Sequence, residues 1–206
     1  MRITAADDLA RAAAGLAQAD PALAGLLQRF APLPLRLREP GFAALVDIIT
    51  SQQISTAAAA SIWARLRAAG LTAEPDVAAA GEPALTGCGL SRPKARHVLA
   101  IARFGVDWAG QAALDDAAAR SQLLALPGVG PWTAEVYLLS ALGRADAWPA
   151  GDLALQEAAR LHLKLSARPD AAGMERLAAG WRPYRSVAAR ALWAYYRQAR
   201  GRDGIR

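Results

Sequence analysis

Cysteine is almost absent from this chain: Cys88 is the only one in 206 residues. That excludes an internal disulfide, a cysteine-rich zinc site and a four-cysteine iron–sulfur cluster. Histidine is scarce too, with His97 and His162 alone, so a histidine-built metal centre is not expected. Lys94 and Lys164 are the only lysines, which leaves the positive charge to arginine. No apolar run reaches membrane-spanning length without a charge or a helix breaker, so no membrane span is expected. The opening Met1-Arg2-Ile3-Thr4-Ala5-Ala6-Asp7-Asp8 turns acidic at once and lacks the apolar core of a signal peptide. A cytoplasmic location is the expectation.

What is present is alanine, leucine and arginine. The hydrophobic class makes up 54% and charged residues 20%, enough for a core and unlike a disordered chain. The length fits one compact domain or two small lobes sharing a cleft. The formal charge is +6 and the pI about 10.2. From Arg160 to Arg206 there are eleven Arg or Lys against three Asp or Glu. A basic final third suits a polyanionic partner, nucleic acid above all, although an Arg- and Ala-rich chain also reflects genome base composition.

No segment alternates with the period of a strand, and the preference is helical nearly throughout. The pattern predicts helices over 8–19, 22–30, 42–50, 56–69, 94–104, 116–125, 133–142, 153–162, 171–179 and 185–200. Stop signals separate them at Gly70, Gly81-Glu82-Pro83, Gly105, Pro127-Gly128, Pro149-Ala150-Gly151 and Arg168-Pro169. Ala31-Pro32-Leu33-Pro34-Leu35 reads as extended. An all-α fold of short helices follows, as two lobes around a cleft. Residues 1–55 with 153–206 would form one lobe, and residues 56–152 the other. Cys88 reads as a small buried packing residue.

The most informative segment is Leu124-Ala125-Leu126-Pro127-Gly128-Val129-Gly130-Pro131-Trp132-Thr133-Ala134. Pro127 and the two glycines stop one helix, and Pro131 suits the first turn of the next. Glycine removes the Cβ that would block a close ligand. The outward N–H groups at the second helix start then suit an anion such as a DNA phosphate, with Gly128, Val129, Gly130 and Thr133 as the binding positions. A weaker echo, Leu85-Thr86-Gly87-Cys88-Gly89-Leu90, also lies before a helix.

Leu-Pro-Gly-Val-Gly-x-x-Thr-Ala resembles the helix–hairpin–helix element of DNA repair enzymes. Downstream, Trp148-Pro149-Ala150-Gly151-Asp152-Leu153 sets one acid after a Pro/Gly loop at a helix start. Alone, Asp152 reads as an ordinary N-cap. With the hairpin it resembles the Gly/Pro loop and Asp of the helix–hairpin–helix Gly/Pro–Asp DNA glycosylase superfamily. The resemblance implies that Asp152 is the catalytic carboxylate, stabilising positive charge on the sugar as a base departs. It also implies a monovalent cation, Na+ or K+, on the backbone carbonyls of Leu124, Leu126 and Val129. No other cofactor is expected.

Members that also nick the strand carry a lysine directly before Thr-Ala. Here the position is Trp132, so the resemblance implies a monofunctional enzyme that leaves an abasic site. The segment Trp181-Arg182-Pro183-Tyr184-Arg185-Ser186, followed by Ala191-Leu192-Trp193, resembles the 3-methyladenine DNA glycosylase II branch. That implies duplex DNA with alkylated purines, 3-methyladenine and 7-methylguanine, as substrate. A ring-alkylated base is positively charged, so an electron-rich aromatic pocket suits it. Trp132 and Trp181 are the first candidates for its walls, followed by Tyr137, Trp148 and Tyr184. Trp63, Trp108 and Trp193 sit in helical patterns and read as core. Arg185 reads as bracing a helix start.

The polar cluster Thr50-Ser51-Gln52-Gln53-Ile54-Ser55 interrupts two apolar helices and is expected to face DNA. In this family it carries the residue that fills the gap left by a flipped nucleotide, and Gln53 holds that position; a plain capping role is its alternative. The resemblance runs from about Phe42 to Tyr196. The N-terminal α/β lobe of longer relatives has no counterpart, and the first forty residues read as helices joining the core. A monomer associated with the nucleoid of a bacterial-type cell is expected. Two alternatives stand beside the alkylpurine reading: a non-catalytic lesion-sensing DNA-binding protein, and a glycosylase for other damaged bases.

Overall fold

The computed structural model describes residues 1–201, and among them the protein is all-α. In chain order the helices are α1 (Ala6–Ala19), α2 (Pro21–Arg29), α3 (Phe42–Ser51), α4 (Thr56–Ala68), α5 (Glu74–Gly87) and α6 (Arg92–Ala102). They continue as α7 (Trp108–Ala113), α8 (Asp116–Leu124), α9 (Pro131–Ser140), α10 (Leu153–His162), α11 (Ala171–Leu177) and α12 (Arg185–Arg200). None of these helices is long and apolar enough to cross a membrane. The only pairing of extended backbone among the described residues is an isolated antiparallel bridge between Arg2 and Arg144.

Two compact units emerge. One comprises, among the described residues, Met1–Leu37 and residues 142–201. In it α12 packs on α1, α2 and α10. Leu9, Leu16, Leu23, Leu155, Val187 and Leu192 are buried here. The N-terminal segment is stitched to the link after α9: Ile3 N–H donates to the Gly143 carbonyl at 2.7 Å and Ala145 N–H to Met1 at 3.3 Å. The other unit is the continuous stretch Arg38–Ala141, in which α3 packs on α4, α6 and α9. Nearly every residue of α3 from Phe42 to Thr50 is buried, which is why its sequence is apolar all round.

These bounds differ from the expected division at 55/56 and 152/153. Helix α3 belongs with the central helices because it buries its sides against them, and Arg38 N–H donates to the Ser140 carbonyl at 2.7 Å. Residues 142–152 go with the chain ends through Ile3 and through Ser186 N–H, which reaches the Ala145 carbonyl at 2.9 Å. Two helices, α5 and α7, were not expected. Helix α5 is broken at Gly81 (φ 73°), so the stop signal there is real, but helix continues on both sides of it. The expected helices over 153–162 and 185–200 match α10 and α12.

Candidate functional site

Five helices begin on an aspartate whose side chain accepts a hydrogen bond from a first-turn amide: Asp20, Asp107, Asp115, Asp152 and Asp170. This is the favoured use of aspartate at an N-cap. Asp107, Asp115 and Asp170 are exposed and Asp20 is half-buried, whereas Asp152 is only 5% exposed. Its Oδ1 accepts from Leu155 N–H at 2.9 Å and from the Trp193 indole Nε1–H at 3.2 Å. The loop before it is tied down as well: Asp152 N–H donates to the Pro149 carbonyl at 2.9 Å and Gln156 Nε2 to Ala150 at 3.1 Å. Gly151 and Leu153 on either side are exposed. A buried, oriented carboxylate therefore lies beneath an exposed turn.

In the other unit, α8 and α9 form a helical hairpin. Val129 N–H donates to the Leu126 carbonyl at 3.2 Å, and Gly128 takes φ 73° to make the turn. A Cβ on Gly128 would collide with the His97 ring, so this position needs glycine for space as well as conformation. Leu126 and Val129 are buried, while Gly130 and Pro131 are exposed at the start of α9. Helix α9 is capped by Gly130, which has no side-chain acceptor for the first-turn amides. Val129 was expected to offer its amide to an anion, but that N–H closes the turn instead. Thr133 is 2% exposed, its hydroxyl turned inward. Arg120 of α8 pairs with Glu135 of α9 and clips the hairpin together.

The polar cluster after α3 is divided rather than wholly outward-facing. Thr50 is buried and its hydroxyl donates to the Val46 carbonyl at 2.8 Å. Gln52 Nε2 donates to the Thr133 hydroxyl at 2.8 Å and to the Gly128 carbonyl at 3.2 Å. Lys94 Nζ donates to the carbonyls of Thr50 at 2.9 Å and Gln52 at 2.6 Å, serving the C-terminal end of α3. Partial burial holds the Lys94 ammonium below its ordinary pKa. Gln53 is exposed at φ 57°, a left-handed conformation uncommon outside glycine. The cap of α4 is Ser55, whose Oγ accepts from Ala58 N–H at 3.2 Å, so Gln53 does not cap the start of α4.

The aromatic candidates separate sharply. Trp148 and Trp181 are 1% and 3% exposed and meet edge to face at 5.5 Å. Their indole N–H groups donate to the Met174 carbonyl and to Asp20 Oδ2. Tyr137 is fully buried, its hydroxyl accepts from Gly41 N–H at 2.8 Å, and burial pushes its pKa up to about 12. These three rings are core, which corrects their expected place as pocket walls. Trp132 and Tyr184 are half-buried and keep part of their rings accessible. Trp63 and Trp108, expected in the core, are also only half-buried.

Arg185 braces the start of α12 as expected, with Nε and Nη2 on the two oxygens of Asp146 at 2.8 and 2.9 Å. Cys88 is buried as expected. Sequence reasoning missed Gln52, Lys94, His97 and the indole N–H of Trp193. The chain's near lack of lysine and histidine was the one signal that marked two of them. No group of His, Cys, Asp and Glu among the described residues is arranged to hold a metal ion.

The sequence pattern of one family, described as HhH-GPD superfamily base excision DNA repair protein, matches residues 46–183. Among curated proteins, the probable bifunctional transcriptional activator/DNA repair enzyme AlkA of Mycobacterium tuberculosis (strain H37Rv) is 52% identical over 75 residues. That match spans 36% of this chain and 14% of the relative, so the chain covers only a small part of its length. Among solved structures, a DNA-3-methyladenine glycosidase from Bacillus halodurans superposes with a TM-score of 0.72 at 26% identity, covering 92% of this chain and 91% of that one. Schizosaccharomyces pombe 3-methyladenine DNA glycosylase (Mag1), in complex with abasic DNA, shares the fold with a TM-score of 0.80 at 22% identity, over 92% and 96% of the two chains.

Proposed function

The chain belongs to the HhH-GPD superfamily of base excision DNA repair proteins, and on that premise we propose that it is a monofunctional DNA glycosylase for alkylated purines. It binds duplex DNA, takes an alkylated base out of the stack and hydrolyses its bond to the sugar, leaving an abasic site. The observation that carries this reading is Asp152. An N-cap needs no burial, and a protein that only grips phosphate gains nothing from a buried, oriented carboxylate at its DNA face. An enzyme that must stabilise an oxocarbenium-like sugar does.

In the reaction the bond from the base to C1′ breaks and the electron pair leaves with the base. A purine alkylated at a ring nitrogen starts positive and departs neutral, so little acid catalysis is required. The Asp152 carboxylate offsets the positive charge on the sugar and orients the water that adds to C1′. The proton of that water passes to solvent. Trp132 stands where strand-nicking relatives carry lysine, Lys94 is engaged with the end of α3, and Lys164 lies exposed outside the motif. Those positions support base release by water alone, without an amine nucleophile.

The Gly128–Gly130 turn and the start of α9 are assigned to a DNA phosphate, with Gln53 as the wedge. The carbonyls of Leu124, Leu126 and Val129 are hard oxygen donors of the kind that hold Na+ or K+. Leu126 retains a lone pair beyond the one used by Val129. Trp132 is the aromatic face that we assign to the damaged base.

The reading is tested by incubating the protein with methylated duplex DNA and identifying released bases. Release of 3-methyladenine or 7-methylguanine supports it. Tight DNA binding without release indicates a lesion-sensing binder, and release of only deaminated or oxidised bases indicates the other glycosylase reading.

A further inference from the structure

Building on that reading, we infer that Trp193 is the positioning residue for the Asp152 carboxylate. Four other aspartates cap helices, but Asp152 combines burial with a second donor from a distant helix. Its capping amide, Leu155 N–H at 2.9 Å, comes from its own helix. The other donor, Trp193 Nε1–H at 3.2 Å, comes from the middle of α12, 41 positions along the chain. Both reach Oδ1, so that oxygen is fixed in place, and with it the rotation of the carboxylate about its Cβ–Cγ bond.

Trp193 is well placed to act as a fixed donor. It is 5% exposed, and α12 is buried continuously from Arg185 to Ala194. Helix α12 packs directly on α10, which Asp152 caps. Hydrogen bonds to the ionised form keep a buried carboxylate charged, which a group facing a developing cation requires. Neighbouring charges on these helices have other partners: Arg190 donates to the Leu35 and Ser186 carbonyls, and Glu157 pairs with Arg160 and Arg200. An indole is also a neutral donor. It orients the carboxylate without cancelling the charge that the sugar needs.

The test substitutes Trp193→Phe, which keeps an aromatic ring but removes the N–H together with part of the indole's volume. Single-turnover release of 7-methylguanine should slow by roughly 10- to 100-fold, the scale of one hydrogen bond to a charged group. DNA affinity should stay within about twofold, and the acid limb of the rate profile should move to higher pH. An unchanged rate and profile would overturn the inference, even with a lowered Tm.

A second measurement needs no variant and no activity. In the unsubstituted protein the Trp193 indole 1H–15N resonance should titrate together with the Asp152 carboxyl carbon. A pH-invariant indole would equally overturn the inference. If the unsubstituted protein releases no base while the two resonances titrate together, the proposed function fails and the pairing stands.

Discussion

The side-chain amide of Gln52 donates to the backbone carbonyl of Gly128, 76 positions away, at 3.2 Å. The same nitrogen reaches the Thr133 hydroxyl, and the Gln52 carbonyl receives the Lys94 ammonium. One side chain thus joins the end of α3 to the α8–α9 turn, and the next residue is the exposed Gln53. Gln52→Ala removes both bonds and leaves two enclosed acceptors without their donor. We expect a loss of about 1–3 kcal/mol in urea unfolding and weaker DNA binding. Unchanged stability would show that the tether contributes nothing.

Gln53→Ala tests the neighbouring position in the opposite sense. The side chain is exposed, so stability should change by less than about 0.5 kcal/mol. Base release from duplex DNA should fall more than release from single strands, because only a duplex has a gap to fill. Comparable loss on both substrates would remove the wedge assignment.

Gly128→Ala should be among the most damaging single substitutions in the hairpin. The backbone sits at φ 73° and the His97 ring occupies the space that a methyl group needs. Left-handed backbone alone costs on the order of 1–2 kcal/mol for alanine, before any displacement of His97. Thermal unfolding measures the total. The further substitution His97→Ala should recover part of the loss.

Asp152→Asn separates capping from catalysis. Asparagine caps helices about as well as aspartate and keeps an oxygen for Leu155 N–H and the Trp193 indole. Tm should therefore change little. Base release should fall by at least about 100-fold, as when an electrostatic group is removed from a reacting centre. Wild-type rates in this variant would end the catalytic assignment.

Glu157 predicts a pH dependence of modest size. Hydrogen bonds from Arg160 and Arg200 lower its pKa from 4.5 to about 2. A carboxylate with a depressed folded-state pKa contributes stability above its unfolded value and loses it as pH falls. The contribution of Glu157 should be fully present above about pH 4.5 and gone near pH 2. Glu157 is only half-buried and its partner Arg200 is exposed, so solvent and salt keep the effect small. Glu157→Gln should flatten that part of the stability curve, and added salt should flatten it in the unsubstituted protein.

Much of this was legible in residue order. Asp152 marks the start of α10 and Gly201 the end of α12, with periodicity carrying the rest, and Gly128 marks a turn that no other residue fits. Asp152 was visible as a helix start. Its burial was not, because the indole that meets it lies 41 positions on. Helical periodicity placed Trp193 in the core but is silent about what an N–H finds there. The aromatic rings misled for a related reason. Trp148 and Trp181 lie beside Pro/Gly turns, where sequence suggests a surface, yet each ring turns inward and packs against the other. Gln52 and Gln53 are indistinguishable by type, and a change of backbone hand at Gln53 sends the two opposite ways.

The way the chain is divided bears on how it is built. Residues 38–141 form a unit whose last residue is made before Leu142, so that unit has all its partners early in synthesis. Helices α1 and α2 have no such advantage. They pack on each other, but the helix that both also pack against, α12, starts at Arg185, and until it emerges the face they turn toward it stays open. The first segments made are thus the last to find their place. A nascent chain stopped before Trp193 would already hold the hairpin and Asp152, but not the indole that fixes that carboxylate.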